Sequence, residues 1–256
     1  MIAFIVGSGF YELEGFSPVE TVTRFGNVRY LTGKIAENPV LLLPRHGSGH
    51  TYLPHQINHR ANLLALKEAG AERVVSCSVC GVINPDWSLG APLVAKELFF
   101  PENRLGDGTT CTVFQEPAEP GRGHLLAGSF FHSSLSSQIE SHFKKSHSNC
   151  HIGSYAHANG PRFNSKAEIK ALRVAGADFL SQTCGPEAVL ANELELPYAL
   201  AGFSVDYANG VQLDPTPVET LQANLKRAKD AFVDLIQTLS SQPQDYTFEN
   251  FVYRFD

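Results

Sequence analysis

The chain predicts an α/β fold, a single domain over residues 1–256 with a mixed, mainly parallel sheet flanked by helices. Three observations lead there. Short apolar runs, one of them the continuous β-branched stretch 73–79, carry the pattern of strands buried on both faces. Segments with apolar residues at helical spacing separate these runs, and such alternation defines α/β proteins. The length of 256 residues, with 43% apolar and 18% charged residues, suits one sizeable core that needs no disulfide or metal.

The elements follow in order. Ile2–Val6 reads as a strand ending at Gly7-Ser8-Gly9. A second strand, 38–43 (NPVLLL), ends at Pro44-Arg45-His46-Gly47. Residues 58–69 place apolar groups at helical spacing and stop at Gly70, an ordinary C-terminal stop. The region 99–150 is rich in Gly, Ser, Thr and Pro and reads as loop-dominated, with a helix near 134–145. Ser165 opens a Ser-x-x-Glu capping box to Glu168, starting a helix to about residue 175. A short strand at 178–183 precedes a helix with Pro186 at its first position. Strand 198–205 is buried. Thr216 to Glu219 forms a second capping box, and the long helix after it carries Leu221, Leu225, Ala228, Phe232 and Leu235 on one stripe. No period of 20–50 residues repeats, which argues against a solenoid.

Composition excludes several function classes. The formal charge is −6 and no Lys/Arg block occurs, so a nucleic-acid or anionic-membrane partner is disfavoured. The opening MIAFIVGSGF lacks a basic leader, and no apolar stretch approaches 18 residues; a cytoplasmic protein is expected. The five cysteines are odd in number and scattered, as free thiols in a reducing compartment are. Cys77 and Cys80 form a CxxC, but no second ligand pair follows at metal spacing. The pair also lies on a strand rather than at a helix start, so buried thiols are expected and no metal.

Parallel α/β sheets place ligands at the carboxyl ends of their strands. Gly7-Ser8-Gly9 could admit an anion to backbone N–H groups, and reads equally as a tight turn. Arg45-His46-Gly47-Ser48-Gly49-His50 offers three potential cations to a small dianion, or forms a surface loop paired to carboxylates. Ser78-Val79-Cys80-Gly81 ends the third strand. Thr183 to Glu187 forms a strand-to-helix turn, where a helix N-terminus with a hydroxyl favours anions. Asp206, just past strand 198–205, is a loop charge or a functional acid. Jointly these groups point to a pocket for phosphate and a base-like group.

On these residues the chain resembles the trimeric purine nucleoside phosphorylase and methylthioadenosine phosphorylase family. The motifs are GSG (7–9), RHGSGH (45–50), PHQINHRANLLALKEAGA (54–71), VCGVI (79–83), GPRFNSKAE (160–168) and GADFLSQTCGPEAVLA (176–191). The resemblance implies a nucleoside phosphorylase-like fold and phosphorolysis of a purine nucleoside, with inorganic phosphate as co-substrate and no cofactor. It implies that Ser8, Arg45, His46, Ser78 and Thr183 hold phosphate, with Arg45 giving a donor fork and His46 a donor. Val79, Cys80, Gly81, Phe163, Gln182, Val218 and Leu221 would contact the nucleoside. Asp206 would face purine N7 and a 6-amino group, His50 would steady the phosphate side, and His124 would reach a neighbouring subunit of a homotrimer. Members that prefer 6-oxopurines carry Glu where this chain has Asn164, and tend to carry Asn where it has Asp206. No histidine follows His157 to meet a 5′-hydroxyl. 5′-Methylthioadenosine is therefore the expected substrate; a 6-oxopurine nucleoside is the alternative. Val6, Gln182, Ala91 and Ala208 depart from the family pattern, which keeps open a homologue that binds without turnover.

Overall fold

The computed structural model describes residues 1–7, 15–47, 49–242 and 244–255. Strand β1 (Ile2–Val6) is buried along its whole length. β2 (Ser17–Thr23) and β3 (Gly26–Ile35) form an antiparallel hairpin, and β4 (Asn38–Pro44) lies parallel to β1 with Val6 opposite Pro44. Helix α1 (His59–Glu68) leads to the long strand β5 (Arg73–Val82), which also runs parallel to β1. The second half contains β6 (Pro92–Phe99), β7 (Gly123–Leu126), α2 (Ser133–Ser146) and β8 (His151–His157). Then come α3 (Lys166–Val174), β9 (Phe179–Ser181), α4 (Cys184–Glu193), β10 (Tyr198–Tyr207), α5 (Val218–Ser241) and β11 (Phe251–Arg254).

The main sheet has the order β10-β6-β8-β9-β5-β1-β4-β3-β2, and β10 also pairs with β5. Strands β5, β10, β6, β8 and β9 therefore close on one another, while β1, β4, β3 and β2 extend as a flange. Strand alternation sorts side chains to two faces. Ala3, Ile5, Leu41, Leu43 and Val74 pack with α1 and α4 residues such as Leu63 and Leu190. Ile2, Phe4, Leu42, Val75 and Phe203 pack with α2 and α5 residues such as Ile139, Phe232 and Leu235. Burial on both faces is why these strands read as unbroken apolar runs.

Most expected elements are present, and the Ser165 capping box forms with Glu168. Three readings need correction. Strand β10 continues to Tyr207, so Asp206 lies within it. Helix α4 begins at Cys184, two residues ahead of Pro186. The Thr216 capping box does not form: Pro217 is the N-cap of α5 and no side chain caps it. The CxxC lies on β5, all five cysteines are free, and burial pushes the Cys77 thiol up to about 12. Among the described residues no cluster of potential metal ligands occurs, and no helix is long and apolar enough to cross a membrane.

Candidate active site

The site begins with a change of partner along β5. Its pairing with β1 covers Arg73 to Ser76, and its pairing with β9 only Gly81 and Val82. Between them residues 77–80 have no strand on that edge. A cavity of about 880 Å³ opens there. The ends of β1 (Gly7), β4 (Arg45, His46), β5 (Ser78, Val79, Cys80, Gly81), β9 (Gln182, Thr183) and β10 (Asp206) all reach it. Residues that the sequence placed at separate strand ends thus converge on one cleft. Ser8 lies outside the described residues.

Arg45 is 2% exposed and does not stand free as a donor fork. Its Nε donates to Glu187 Oε1 at 2.7 Å, and Nη2 to Glu187 Oε2 at 3.1 Å and to the Ile5 carbonyl at 3.2 Å. Nη1 donates to the Cys77 carbonyl at 2.8 Å, tying Arg45 to the unpaired edge of β5. A guanidinium has five N–H bonds. Among the described residues four are engaged, leaving one on Nη1, the nitrogen 3.4 Å from where a Gly7 Cβ would sit. Glu187 is 1% exposed and also accepts from Ser76 Oγ at 2.6 Å. Burial alone would raise its carboxyl; the adjacent guanidinium holds it below the ordinary carboxylate range. The pair therefore brings almost no net charge to the cavity. Sequence reasoning passed over Glu187, although a lone carboxylate within the apolar helix GPEAVLA requires a buried cation as partner.

His46 is also repurposed. Its Nδ1 lies 2.9 Å from the Tyr52 carbonyl, which can only accept, so Nδ1 carries the proton. Burial first, and then the charge of Arg45, hold His46 down to about 4. It is neutral at pH 7, and Nε2 is an acceptor rather than the expected donor. Its ring stacks on His50 with centroids 4.4 Å apart. Thr183 is the N-cap of α4, but its hydroxyl makes no cap bond. Ser78 Oγ donates to the adjacent Val79 carbonyl at 3.1 Å, and Thr183 Oγ1 lies 3.5 Å from Cys184 Sγ. Both hydroxyls line the cavity and can turn toward a ligand.

Two further histidines sit behind this wall. Burial outweighs the attraction of Glu187, 3.9 Å away, and holds His59 down to about 4. Burial and the neighbouring His59 hold His157 down to about 3. All three histidines are neutral in the fold but titrate near 6.5 when unfolded. Below pH 6.5 the unfolded chain binds more protons, so stability is complete above that pH and falls until the folded values are reached. Glu187 adds loss in the same direction below its unfolded value. Each histidine is expected to remove about 1.4 kcal/mol per pH unit between roughly pH 6.5 and 4. Urea unfolding at pH 7.5 and 5.5 reads this directly; equal midpoints would contradict it.

Across the cavity, β10 is irregular between Ser204 and Asp206, and such a bulge re-aims the side chains around it. The Asp206 carboxylate faces the cavity without a hydrogen bond or ion pair among the described residues. Phe163, 84% exposed, stands at the opening beside Asn164. Helix α5 closes the remaining wall with Leu221, Leu225, Ala228 and Phe232, and adds Lys226 and Lys229, which the sequence reading did not single out. Val218 does not line the cavity; it is 62% exposed at the start of α5, because the helix turns this position outward. His124 is likewise outside the cavity. It lies on β7, beside a separate cavity of about 430 Å³, with its ring edge-on to Phe255.

The fold has known counterparts. The phosphorylase superfamily model matches residues 1–241. A 6-oxopurine nucleoside phosphorylase of Pyrococcus furiosus is 31% identical, covering 95% of this chain and 94% of its own. An S-methyl-5′-thioadenosine phosphorylase of Saccharolobus solfataricus is 33% identical, covering 95% and 92%. The crystal structure of an adenosine/methylthioadenosine phosphorylase mutant from Schistosoma mansoni, in complex with adenine, superposes with a TM-score of 0.82 at 21% identity, covering 94% of this chain and 89% of that one. The chain belongs to the phosphorylase superfamily. Within it, the chain is a member of the purine nucleoside and methylthioadenosine phosphorylase family.

Proposed function

We propose that the cavity carries out phosphorolysis of a purine nucleoside, with 5′-methylthioadenosine as the preferred substrate. The carrying observation is convergence: hydroxyls, one arginine N–H and a carboxylate without a partner among the described residues meet in one cleft large enough for a nucleoside and an anion. In this reading Ser78, Thr183, the remaining Arg45 N–H and Ser8 hold hydrogen phosphate. His46 Nε2 accepts the hydrogen-phosphate O–H. A phosphate oxygen attacks C1′ while the N9–C1′ bond breaks and its electron pair passes to the purine. The proton that enters with hydrogen phosphate leaves on the purine, so the reaction balances without any cofactor. The purine carries that proton at N7 as it departs, and the N7–H donates to the Asp206 carboxylate, which stabilises the leaving base.

Asp206 also supports the choice of base. A carboxylate accepts from a 6-amino group and repels a 6-carbonyl oxygen. The apolar face of Leu221, Leu225, Ala228 and Phe232 suits a methylthio group at the 5′ end. Val79, Cys80 and Gly81 would form the opposite wall. Lys226 and Lys229 would raise the local concentration of phosphate by focusing at the mouth. The second reading, a 6-oxopurine nucleoside, is favoured by the similarity to the Pyrococcus furiosus relative. A homotrimer with His124 reaching a neighbour, and a cytoplasmic location, complete the proposal.

A panel of methylthioadenosine, adenosine, inosine and guanosine, each with phosphate, ranks the readings by base release. kcat/KM for methylthioadenosine is expected to exceed that for inosine by at least about tenfold, the scale of one buried polar mismatch. The reverse order would install the 6-oxopurine reading.

A further inference from the structure

Gln182 stands where the family resemblance leads one to expect an apolar residue beneath the ribose, and Asn209 follows Ala208, where a second acid is expected. The structure gives both polar residues a common task. Gln182 Nε2, at the end of β9, donates to the Arg162 carbonyl at 2.9 Å. Asn209 Nδ2, just past β10, donates to the Asn164 carbonyl at 2.7 Å. The two carbonyls flank Phe163. A Cβ at Gly160 would collide with the Gln182 amide, so that glycine gives the amide its place against the same segment.

Other ties stop short of this function. Arg162 Nη1 and Nη2 donate to Glu168 at 2.9 and 2.7 Å, which anchors that side chain to α3. The Ser165 capping box fixes the segment where it enters the helix. Neither bond holds the backbone on both sides of Phe163 to the strands that carry Thr183 and Asp206. The Phe163 carbonyl accepts from Arg162 Nη1 at 3.2 Å, a tie within the segment itself, and the ring is held by no burial.

We propose that Gln182 and Asn209 are positioning residues that clamp the 162–164 segment from two strand ends and so fix the ring of Phe163 over the nucleoside. The inference rests on the phosphorolysis reading for its kinetic consequence, but the clamp itself can be read without turnover. It makes the strand ends and the aromatic wall one rigid frame. The donor amides are needed at these two positions because backbone carbonyls accept only from N–H or O–H groups. A methionine at 182 would touch the sugar but release the segment on one side.

Trypsin provides the direct test, because the segment contains its own cleavage site. The Arg162 side chain is 69% exposed, and the bond it presents is Arg162–Phe163. Gln182→Met and Asn209→Ala, each removing one donor, are each expected to speed cleavage at this bond about fivefold, and the double variant about 25-fold. Thermal midpoints serve as the control for folding, since both side chains lie at the cavity surface. Mass spectrometry of the fragments identifies the bond cut. In Asn209→Ala, whose side chain has no assigned substrate contact, KM for the nucleoside is expected to rise about fivefold while kcat and KM for phosphate stay within about twofold. Unchanged cleavage in both single variants and in the double would overturn the clamp. Faster cleavage with an unchanged nucleoside KM would overturn its role in binding. Absence of turnover in the unaltered protein, with the cleavage increase intact, would overturn the phosphorolysis reading and leave the clamp standing.

Discussion

Glu187→Gln is expected to destabilise the protein by about 3–5 kcal/mol, the cost of leaving a buried charge without its partner. The carboxylate receives two guanidinium N–H bonds and the Ser76 hydroxyl, and Tyr198 Oη lies 3.4 Å from Oε2. A carboxamide of the same shape keeps one acceptor oxygen but points an NH₂ group at Arg45. For a chain of this size each kcal/mol shifts the thermal midpoint by roughly 2–4 °C. The variant should therefore melt roughly 6–20 °C lower in a calorimetric scan. The effect reaches the site as well, because Arg45 holds the Cys77 carbonyl at the open edge of β5. Replacing both partners with apolar residues, Arg45→Met with Glu187→Leu, is expected to recover most of the stability but not the activity. A shift below about 2 °C in the single variant would mean that Arg45 is solvated by other means.

Asp206 predicts the opposite combination, a large loss of activity without loss of stability. Asp206→Ala removes a side chain with no hydrogen bond or ion pair among the described residues. Stability should stay within about 0.5 kcal/mol, as at sites away from packed or paired groups. Loss of a group that stabilises the departing purine should lower kcat/KM by about 10²–10⁴. Asp206→Asn should do something different, because a carboxamide can donate to a 6-carbonyl oxygen. The ratio of kcat/KM for methylthioadenosine to that for inosine is expected to fall by at least about 10². Steady-state rates for both nucleosides with each variant check this. Asp206→Ala retaining more than a tenth of the activity would remove Asp206 from the chemistry.

The strands that bear the site were legible because they are buried on both faces. Ile2–Val6 and the first half of β5 have no polar face to obscure them. β2 was not legible: it lies at the sheet edge, mostly exposed, and contains Ser, Pro, Glu and Thr. β8 was hidden for another reason. A Cβ at Gly153 would run into Asp178 and Trp87, so the strand needs a glycine where a strand pattern expects a side chain. The location of the site followed from the strand-end rule, which depends on topology alone. The state of its groups did not follow. That Arg45 is neutralised and that β10 bulges before Asp206 depend on partners far away in sequence, while His46 accepts because burial and the Tyr52 carbonyl, six residues on, set its proton. Motif spacing carries no information about them. Gln182 shows the same limit, since its polarity is anomalous in the sequence and acquires a reason only when the Arg162 carbonyl lies beside it.

Phosphorus NMR of the protein mixed with methylthioadenosine and inorganic phosphate tests the central claim most directly. A sugar 1-phosphate resonance is expected to grow in step with free adenine, with no base release when phosphate is left out. Adenine appearing at the same rate without phosphate would show that water is the nucleophile and that the cleft holds no phosphate during reaction. No sugar phosphate from methylthioadenosine, adenosine, inosine or guanosine would contradict phosphorolysis altogether.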